Sequence, residues 1–258
     1  MDIADVALLL GAGLGAGAVN AIAGGGSLIT FPALVATGLG AVPANVTNSV
    51  AVFPGYAASV VGSRSDLREL AAGQRRSLLG LAPTAVLGTL TGCVLLLATP
   101  TRAFELVVPF LVLGAAAVLA FQDRLRQVVG HPHDLTPRRR LLALHTMVGL
   151  GTVYGGYFGA ALGVMLVAAL GLVLPDTLAR VSALKNAVSA LGGLVTVLVF
   201  SAYGPVDWAD VAILLPTTIT GGYLGARLAR RLPARFLRPV IVAFGVVIGL
   251  VLLWRALR

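Results

Sequence analysis

Charge, cysteine and lysine are what this 258-residue chain has least of. Asp, Glu, Lys and Arg together make up 11% of it, with one cysteine, Cys93, and one lysine, Lys185. A soluble domain carries about 25% charged residues, so 11% is too little to wet a water-soluble protein of this length. Soluble enzymes, disulfide scaffolds and disordered chains are thereby excluded. A lone cysteine in an apolar run forbids an internal disulfide and a cysteine-based metal site. The N-terminus lacks the basic region of a signal peptide. It carries Asp2 and Asp5, so although Ala21-Ile22-Ala23 imitates a cleavage site, the segment reads as a retained first helix. HExxH, a Ser/His/Asp set and a carboxylate pair at depth are also missing. An intramembrane hydrolase would lack its nucleophile or metal ligands, so no enzyme, cofactor or metal site is expected. His131-Pro-His133-Asp134 has metal-ligand residue types but falls in an Arg-rich loop, where it reads as a solvated segment.

What is abundant is apolar: 58% hydrophobic residues and a mean hydropathy of +0.95. Ten apolar segments fall at 3–23, 27–39, 42–62, 77–98, 104–122, 140–160, 163–174, 178–201, 209–228 and 236–257. Eight are long enough to cross a hydrocarbon core of about 30 Å. Segments 27–39 and 163–174 are not, because such a helix rises only about 20 Å. The expected fold is all-α: a polytopic membrane protein of about eight transmembrane helices plus two short, broken or re-entrant segments.

The short segments occupy the same place in each half. Asn20-Ala-Ile-Ala-Gly24-Gly25-Gly26-Ser27 precedes one, and Tyr154-Gly155-Gly156-Tyr157-Phe158-Gly159 precedes the other. Each leads through a proline, Pro43 or Pro175, into a helix bearing polar residues: Asn45, Thr47, Asn48 and Ser49 in one half, Arg180, Ser182, Lys185 and Asn186 in the other. This reads as an internal duplication, with residues 1–122 as the first repeat, 123–139 as a cytoplasmic linker and 140–258 as the second repeat. Short, Gly-interrupted segments at matching positions point to a transporter site.

Net charge is +9, and eighteen of the 19 basic residues are Arg. No basic surface alternates with stacking aromatics, so nucleic acid is excluded as a partner. Fourteen basic residues fall in three loops: Arg64, Arg68, Arg75 and Arg76; Arg124, Arg126, Arg138, Arg139 and Arg140; Arg227, Arg230, Arg231, Arg235 and Arg238. Positive loops stay cytoplasmic, which puts the N-terminus outside, the second half starting inside, and the two repeats inverted. The C-terminus then falls outside, where Arg255 and Arg258 run against the rule.

A Gly-rich break frees backbone amides that lipid cannot satisfy, so it must face protein or a water-filled cavity. The restarting helix points its partially positive end there, which suits a small anion. Gly24-Gly25-Gly26 is no phosphate loop, since no Gly-Lys-Ser/Thr follows. Close helix packing is the plainer reading for Gly11, Gly15, Gly149, Gly151, Gly155 and Gly159. For Gly24–Gly26 and Gly155–Gly156 both readings stand. Lys185 lies about two turns inside an apolar helix, where charge is costly and functional by default. Its alternative is snorkelling to an interface. No carboxylate lies deep in a span, so a carboxylate proton relay is not expected, while coupling to protons or to the membrane potential stays open.

Ala23-Gly-Gly-Gly-Ser-Leu-Ile-Thr-Phe-Pro32 with Ala44-Asn-Val-Thr-Asn48, and Gly155-Gly-Tyr-Phe-Gly-Ala-Ala-Leu-Gly163 with Ser182-Ala-Leu-Lys-Asn186, Gly204-Pro-Val-Asp-Trp208 and Gly221-Gly-Tyr-Leu-Gly-Ala-Arg227, resemble the two half-signatures of the sulfite exporter TauE/SafE (toluenesulfonate uptake permease) family. The likeness covers nearly the whole chain. It implies a multi-pass carrier of the bacterial inner membrane for small sulfur-containing anions such as sulfite, sulfonates or sulfoacetate, or for related carboxylates. The expected lining is Asn20, Gly24, Gly25, Gly26, Ser27, Thr47 and Asn48 from the first half, with Tyr154, Tyr157, Ser182, Lys185 and Asn186 from the second. Expected partners are the small anion and the lipid bilayer, with a homodimer allowed. The rival from another class is a membrane-embedded binding or assembly subunit without transport activity. A channel is disfavoured, because no ring of charge lines the spans.

Overall fold

A computed structural model describes residues 2–22, 25–62, 64–68, 72–121, 124, 136–174, 177–228 and 234–257. Every regular element among them is an α-helix: α1 (Ile3–Ile22), α2 (Ser27–Ala36), α3 (Ala41–Gly62), α4 (Arg64–Arg68), α5 (Ala72–Ala98), α6 (Thr101–Ala120), α7 (Pro137–Tyr157), α8 (Leu162–Gly171), α9 (Leu178–Tyr203), α10 (Trp208–Leu228) and α11 (Ala234–Leu257). Each of the ten apolar segments is found as a helix, and the one-turn α4 is added in the first Arg-rich loop. Gly24 and the His131-Pro-His133-Asp134 loop lie outside the described residues.

Four of these helices are long and apolar enough throughout to cross a membrane: Ile3–Asn20, Leu79–Ala98, Thr101–Ala120 and Arg180–Tyr203. The helices α3, α7, α10 and α11 have 22, 21, 21 and 24 residues, also enough to reach about 30 Å; α3, α7 and α10 carry more polar or charged residues, and α11 holds the apolar stretch Ile241–Ala256. Large apolar side chains cover the outer surface, among them Leu87, Phe110, Leu142, Leu150 and Leu198, all more than half exposed. That outer belt belongs against lipid tails, and the chain is a multi-pass membrane protein.

The two short helices have ten residues each and begin at backbone turns. In α2 the first turn is made by the amides of Leu28 and Ile29, which donate to the carbonyls of Gly25 (3.0 Å) and Gly26 (2.8 Å). It ends at Gly38, whose φ of +96° is a left-handed conformation open to glycine at no steric cost. The second break is tighter: Gly159 has φ +74°, and Ala161 has φ +56° although it carries a Cβ, a conformation costing about 1–2 kcal/mol. The Tyr154 hydroxyl holds this turn by donating to the Ala160 carbonyl at 2.7 Å.

Glycines decide the closest helix contacts. A Cβ on Gly17 of α1 would sit 2.2 Å from the Thr218 carbonyl oxygen of α10, and one on Gly221 would sit 2.2 Å from that of Leu14. Between α5 and α7 the same happens at Gly92 (2.1 Å from the Val153 oxygen) and Gly156 (2.3 Å from the Thr89 oxygen). Both pairs run parallel, since Gly13 meets Thr217 where Gly17 meets Gly221, and Gly88 meets Thr152 where Gly92 meets Gly156. Here the expected packing register is corrected: Gly13 and Gly17 make the α1 contact, whereas Gly11 faces open space and Gly15 has only Ile29 at 3.9 Å. Gly151 and Gly155 do pack, against Leu166 and Leu162 of α8.

Candidate functional site

Three adjoining cavities run along α3, where α1, α2, α7, α8, α9 and α10 surround it. The innermost, about 30 Å³, is lined by Ser27, Asn48, Ser49 and Tyr56 with Thr89, Thr152, Phe158, Ser189, Gly192, Gly193 and Thr196. The second, about 20 Å³, is bounded by Asn20, Gly25, Ser27, Tyr56, Ser59, Gly159, Gly163 and Lys185. The third, about 490 Å³, is lined by Gly17, Asn20, Gly55, Ser59, Gly62, Asn186, Thr218 and Tyr223. Shared walls at Ser27 and Tyr56, then at Asn20 and Ser59, join them in that order. The large cavity extends toward the end of α3 that carries Gly62 and leads into Arg64, and Tyr223 at its rim is 57% exposed. At the other end the inner cavity stops at Phe158. Phe158 stacks edge-on with Phe31 (5.3 Å between centroids), and Phe104 packs on Tyr157 at 5.7 Å. These rings close that end.

The two breaks therefore meet across one space, but the first does not present bare amides. Asn20 Oδ1 accepts from the amides of Gly25 (3.2 Å) and Gly26 (2.8 Å), capping them from the last turn of α1. Gly26 itself is pressed against α1, since a Cβ there would lie 2.4 Å from the Ala16 carbonyl oxygen. Of this break, Gly25 and Ser27 reach the cavities, and Ser27 is hydrogen-bonded to Tyr56. Asn48 is buried; its Oδ1 accepts from Thr30 Oγ1, which also lies 3.3 Å from the Gly26 carbonyl oxygen. That chain ties α3 to the start of α2.

Lys185 lies over Gly163, so that a Cβ added there would be 3.5 Å from its Cδ and 3.6 Å from its Nζ. The glycine leaves room for the lysine stem. Asn186, one residue on, lines the large cavity and its Nδ2 donates to the Ser59 carbonyl at 3.4 Å. Among the described residues lining the three cavities, Lys185 alone carries a charge.

Besides Gly26, four expected lining residues are not among those bordering the three cavities. Thr47 is fully buried and its Oγ1 accepts from the Asp207 amide at 2.9 Å, which ties α3 to the start of α10. Tyr154 is spent on the Ala160 carbonyl. Tyr157 accepts at its carbonyl from Asn45 Nδ2 at 2.8 Å and stacks with Phe104, so it belongs to the aromatic closure. Ser182 is half-buried on α9 and is not among the residues lining the three cavities. Thr47 and Tyr154 are taken by backbone groups and the Tyr157 hydroxyl by Thr99 Oγ1 at 3.5 Å, and helix periodicity does not reveal such partners.

Sequence reasoning also passed over several cavity residues: Ser49, Tyr56, Ser59, Thr89, Thr152, Ser189 and Thr196. Hydroxyls next to or one turn from glycines (Gly88-Thr89, Gly151-Thr152, Gly192-Gly193 with Thr196) were the available signal. Most such hydroxyls in membrane helices bond their own backbone, as Thr196 does to Gly193 at 2.8 Å. Ser189 differs: its buried Oγ has no hydrogen-bond partner among the described residues.

Known proteins with similar sequences are named as transporters. One called Probable membrane transporter protein YfcA, from Escherichia coli, is 30% identical over 248 residues, covering 93% of this chain and 86% of that protein. A Probable membrane transporter protein from Haemophilus influenzae is 27% identical over 239 residues, covering 92% of this chain and 90% of its own length. No solved structure matches the chain. The family model for the sulfite exporter TauE/SafE matches residues 9–252, nearly the whole helical bundle just described, and the chain belongs to that family of membrane transporters.

Proposed function

We propose that the protein is a secondary transporter of small sulfur-containing anions, sulfite or sulfonates of the sulfoacetate kind, or related carboxylates, in the bacterial inner membrane. The observation that carries this reading is the lining: a single cation, Lys185, among neutral donors at Asn20, Ser27, Tyr56 and Ser59, beside a 490 Å³ vestibule lined by Asn186 and Thr218. An oxyanion needs one opposite charge and several neutral hydrogen bonds, and it must bind loosely enough to leave. The vestibule is of the size that takes a small molecule.

Eight spans in two inverted repeats are the architecture that fits. The support is a correspondence of contacts. Exchanging α1, α2, α3, α5 and α6 for α7, α8, α9, α10 and α11 turns the α1–α10 contact into α7–α5, and α3–α10 into α9–α5, while α3–α9 and α6–α11 map onto themselves. Because α1 lies parallel to α10, which ends toward the Arg-rich loop at 227–238, α1 starts at the opposite end, whereas α7 starts at the Arg-rich end. With the rings at Phe158 closed and the vestibule reaching toward Gly62, this arrangement is the cytoplasm-facing member of an alternating-access pair.

Purified protein in liposomes is expected to move sulfite or sulfoacetate down a gradient. Failure to move any of a panel of sulfite, sulfonates and short carboxylates overturns the reading and leaves a binding subunit. A periplasm-active reporter fused to the C-terminus is expected to be active, and a cytoplasmic C-terminus overturns the inverted arrangement.

A further inference from the structure

Asp210 is a buried acid without an assigned role. It stands in the first turn of α10, is 1% exposed, and neither carboxyl oxygen has a hydrogen-bond partner among the described residues. From sequence it sits in Asp207-Trp-Ala-Asp210, the spacing of a capping box, in which the fourth residue reaches back to the amide of the first. One arm of the box forms: Asp207 Oδ1 accepts from the amides of Ala209 and Asp210, both at 3.0 Å. The other arm does not, because the Asp207 amide donates to Thr47 of α3. Asp210 is thus displaced from its ordinary partner and lies on the face of α10 that continues through Leu214 and Thr218 into the contact with α1 and α3.

Packing does not require an acid there. Thr218 packs its carbonyl on Gly17 as Thr89 packs its carbonyl on Gly156 in the α5–α7 pair. Eight residues before Thr218 is Asp210; eight before Thr89 is Leu81, which is 1% exposed among Leu144, Val148 and Ala85. The matching slot is filled by a leucine. Among the described residues the charged groups that reach Asp210 are Asp207 of its own helix start and Asp5 of α1; α3 contributes the neutral Thr47.

From this slot we infer that Asp210 is a proton-binding site that couples anion movement to proton movement, an inference that rests on the transporter reading. A carboxylate shut away without partners is far less stable than the neutral acid, so the closed slot goes with COOH and the charged form goes with a slot opened to water. Protonation is simple addition of H⁺ from water to the carboxylate, and release returns it. The link to the substrate path runs through Asp207 and Thr47 to Asn48, the next residue of α3, which lines the inner cavity.

Two measurements on the full-length protein in liposomes test this. In infrared difference spectra between mildly acidic and mildly alkaline pH, the wild type is expected to show the band of a titrating, buried protonated carboxyl. That band should be lost in Asp210→Asn and in Asp210→Leu, the latter borrowing the residue of the matching slot so that folding is preserved. An unchanged band in both variants overturns the proton site whether or not any substrate moves. With sulfoacetate as the probe and a pH dye inside, wild-type uptake should acidify the lumen and accumulation should rise about tenfold per pH unit of gradient for one proton per anion. Asp210→Leu should keep sulfoacetate exchange while losing both effects. Retained acidification in that variant overturns the coupling. Absence of wild-type flux overturns the transporter reading instead, and the infrared result still decides the proton site.

Discussion

Replacing Lys185 by methionine tests the centre of the functional reading. Methionine keeps most of the stem that fills the space over Gly163, where the lysine Cδ and Nζ stand 3.5 and 3.6 Å from the position of an added Cβ. It removes only the charge. Hydrogen bonds to a charged group contribute about 1.5–3 kcal/mol. Lys185 is half-buried, which places the expected loss toward the lower end, about 1.5–2 kcal/mol, or roughly tenfold to thirtyfold in affinity. The assay is initial-rate uptake of labelled sulfoacetate into liposomes, with thermal unfolding measured on the same preparation. The expected result is a KM raised by that factor with the melting temperature unchanged or raised, since an intramembrane charge has been removed. A KM within about twofold of wild type, at equal unfolding temperature, refutes the reasoning, because a 1.5 kcal/mol contact cannot be lost with so small an effect.

Two further outcomes follow from the packing. Asn20→Ala strips the cap from the Gly25 and Gly26 amides and should cost about 1–3 kcal/mol of stability with loss of uptake, whereas Asn20→Asp keeps the acceptor and should fold; equal melting of all three proteins would contradict the cap. In Gly17→Ala and Gly92→Ala the new Cβ would stand 2.2 and 2.1 Å from a facing carbonyl oxygen, so the helices must part, and each should destabilise by about 1–3 kcal/mol. Gly11→Ala meets nothing within 4 Å and should melt at or above the wild-type temperature; similar melting of all three variants would contradict the glycine contacts.

Local order was legible because it is set locally. Apolar runs of about 20 residues bounded by Gly, Pro and Arg leave few alternatives to helices, and the breaks before Ser27 and Leu162 follow from glycine and from segments too short to span. Lys185 was legible because the chain's one lysine, lying about two turns inside an apolar helix, stands out. The partners of the polar groups were not. Asn20 was read as lining and does border two of the cavities, but its Oδ1 is committed to the amides of the break beside it. Thr47 was read as lining and instead holds Asp207. The α1 contact uses Gly13 and Gly17, two residues off the register read from sequence, because helix period alone does not say which stripe a neighbouring helix will cover.

Asp210 shows the division most clearly. By sequence it is one of a few acids near the edge of a span, in a spacing that promises a capping box, and no deep carboxylate was expected. The tertiary contact between α3 and the start of α10 takes the Asp207 amide, leaves the box half-made, and buries the acid against α1. Composition by itself determined that this chain lies in a membrane, where its helices run and break, and that its scarce charge gathers in three loops and at one lysine. Only the tertiary structure decided which of the polar groups face the cavity and which are consumed in holding it, because a buried hydrogen bond goes to whatever backbone lies nearest in space, and that neighbour is often more than a hundred residues away in the chain.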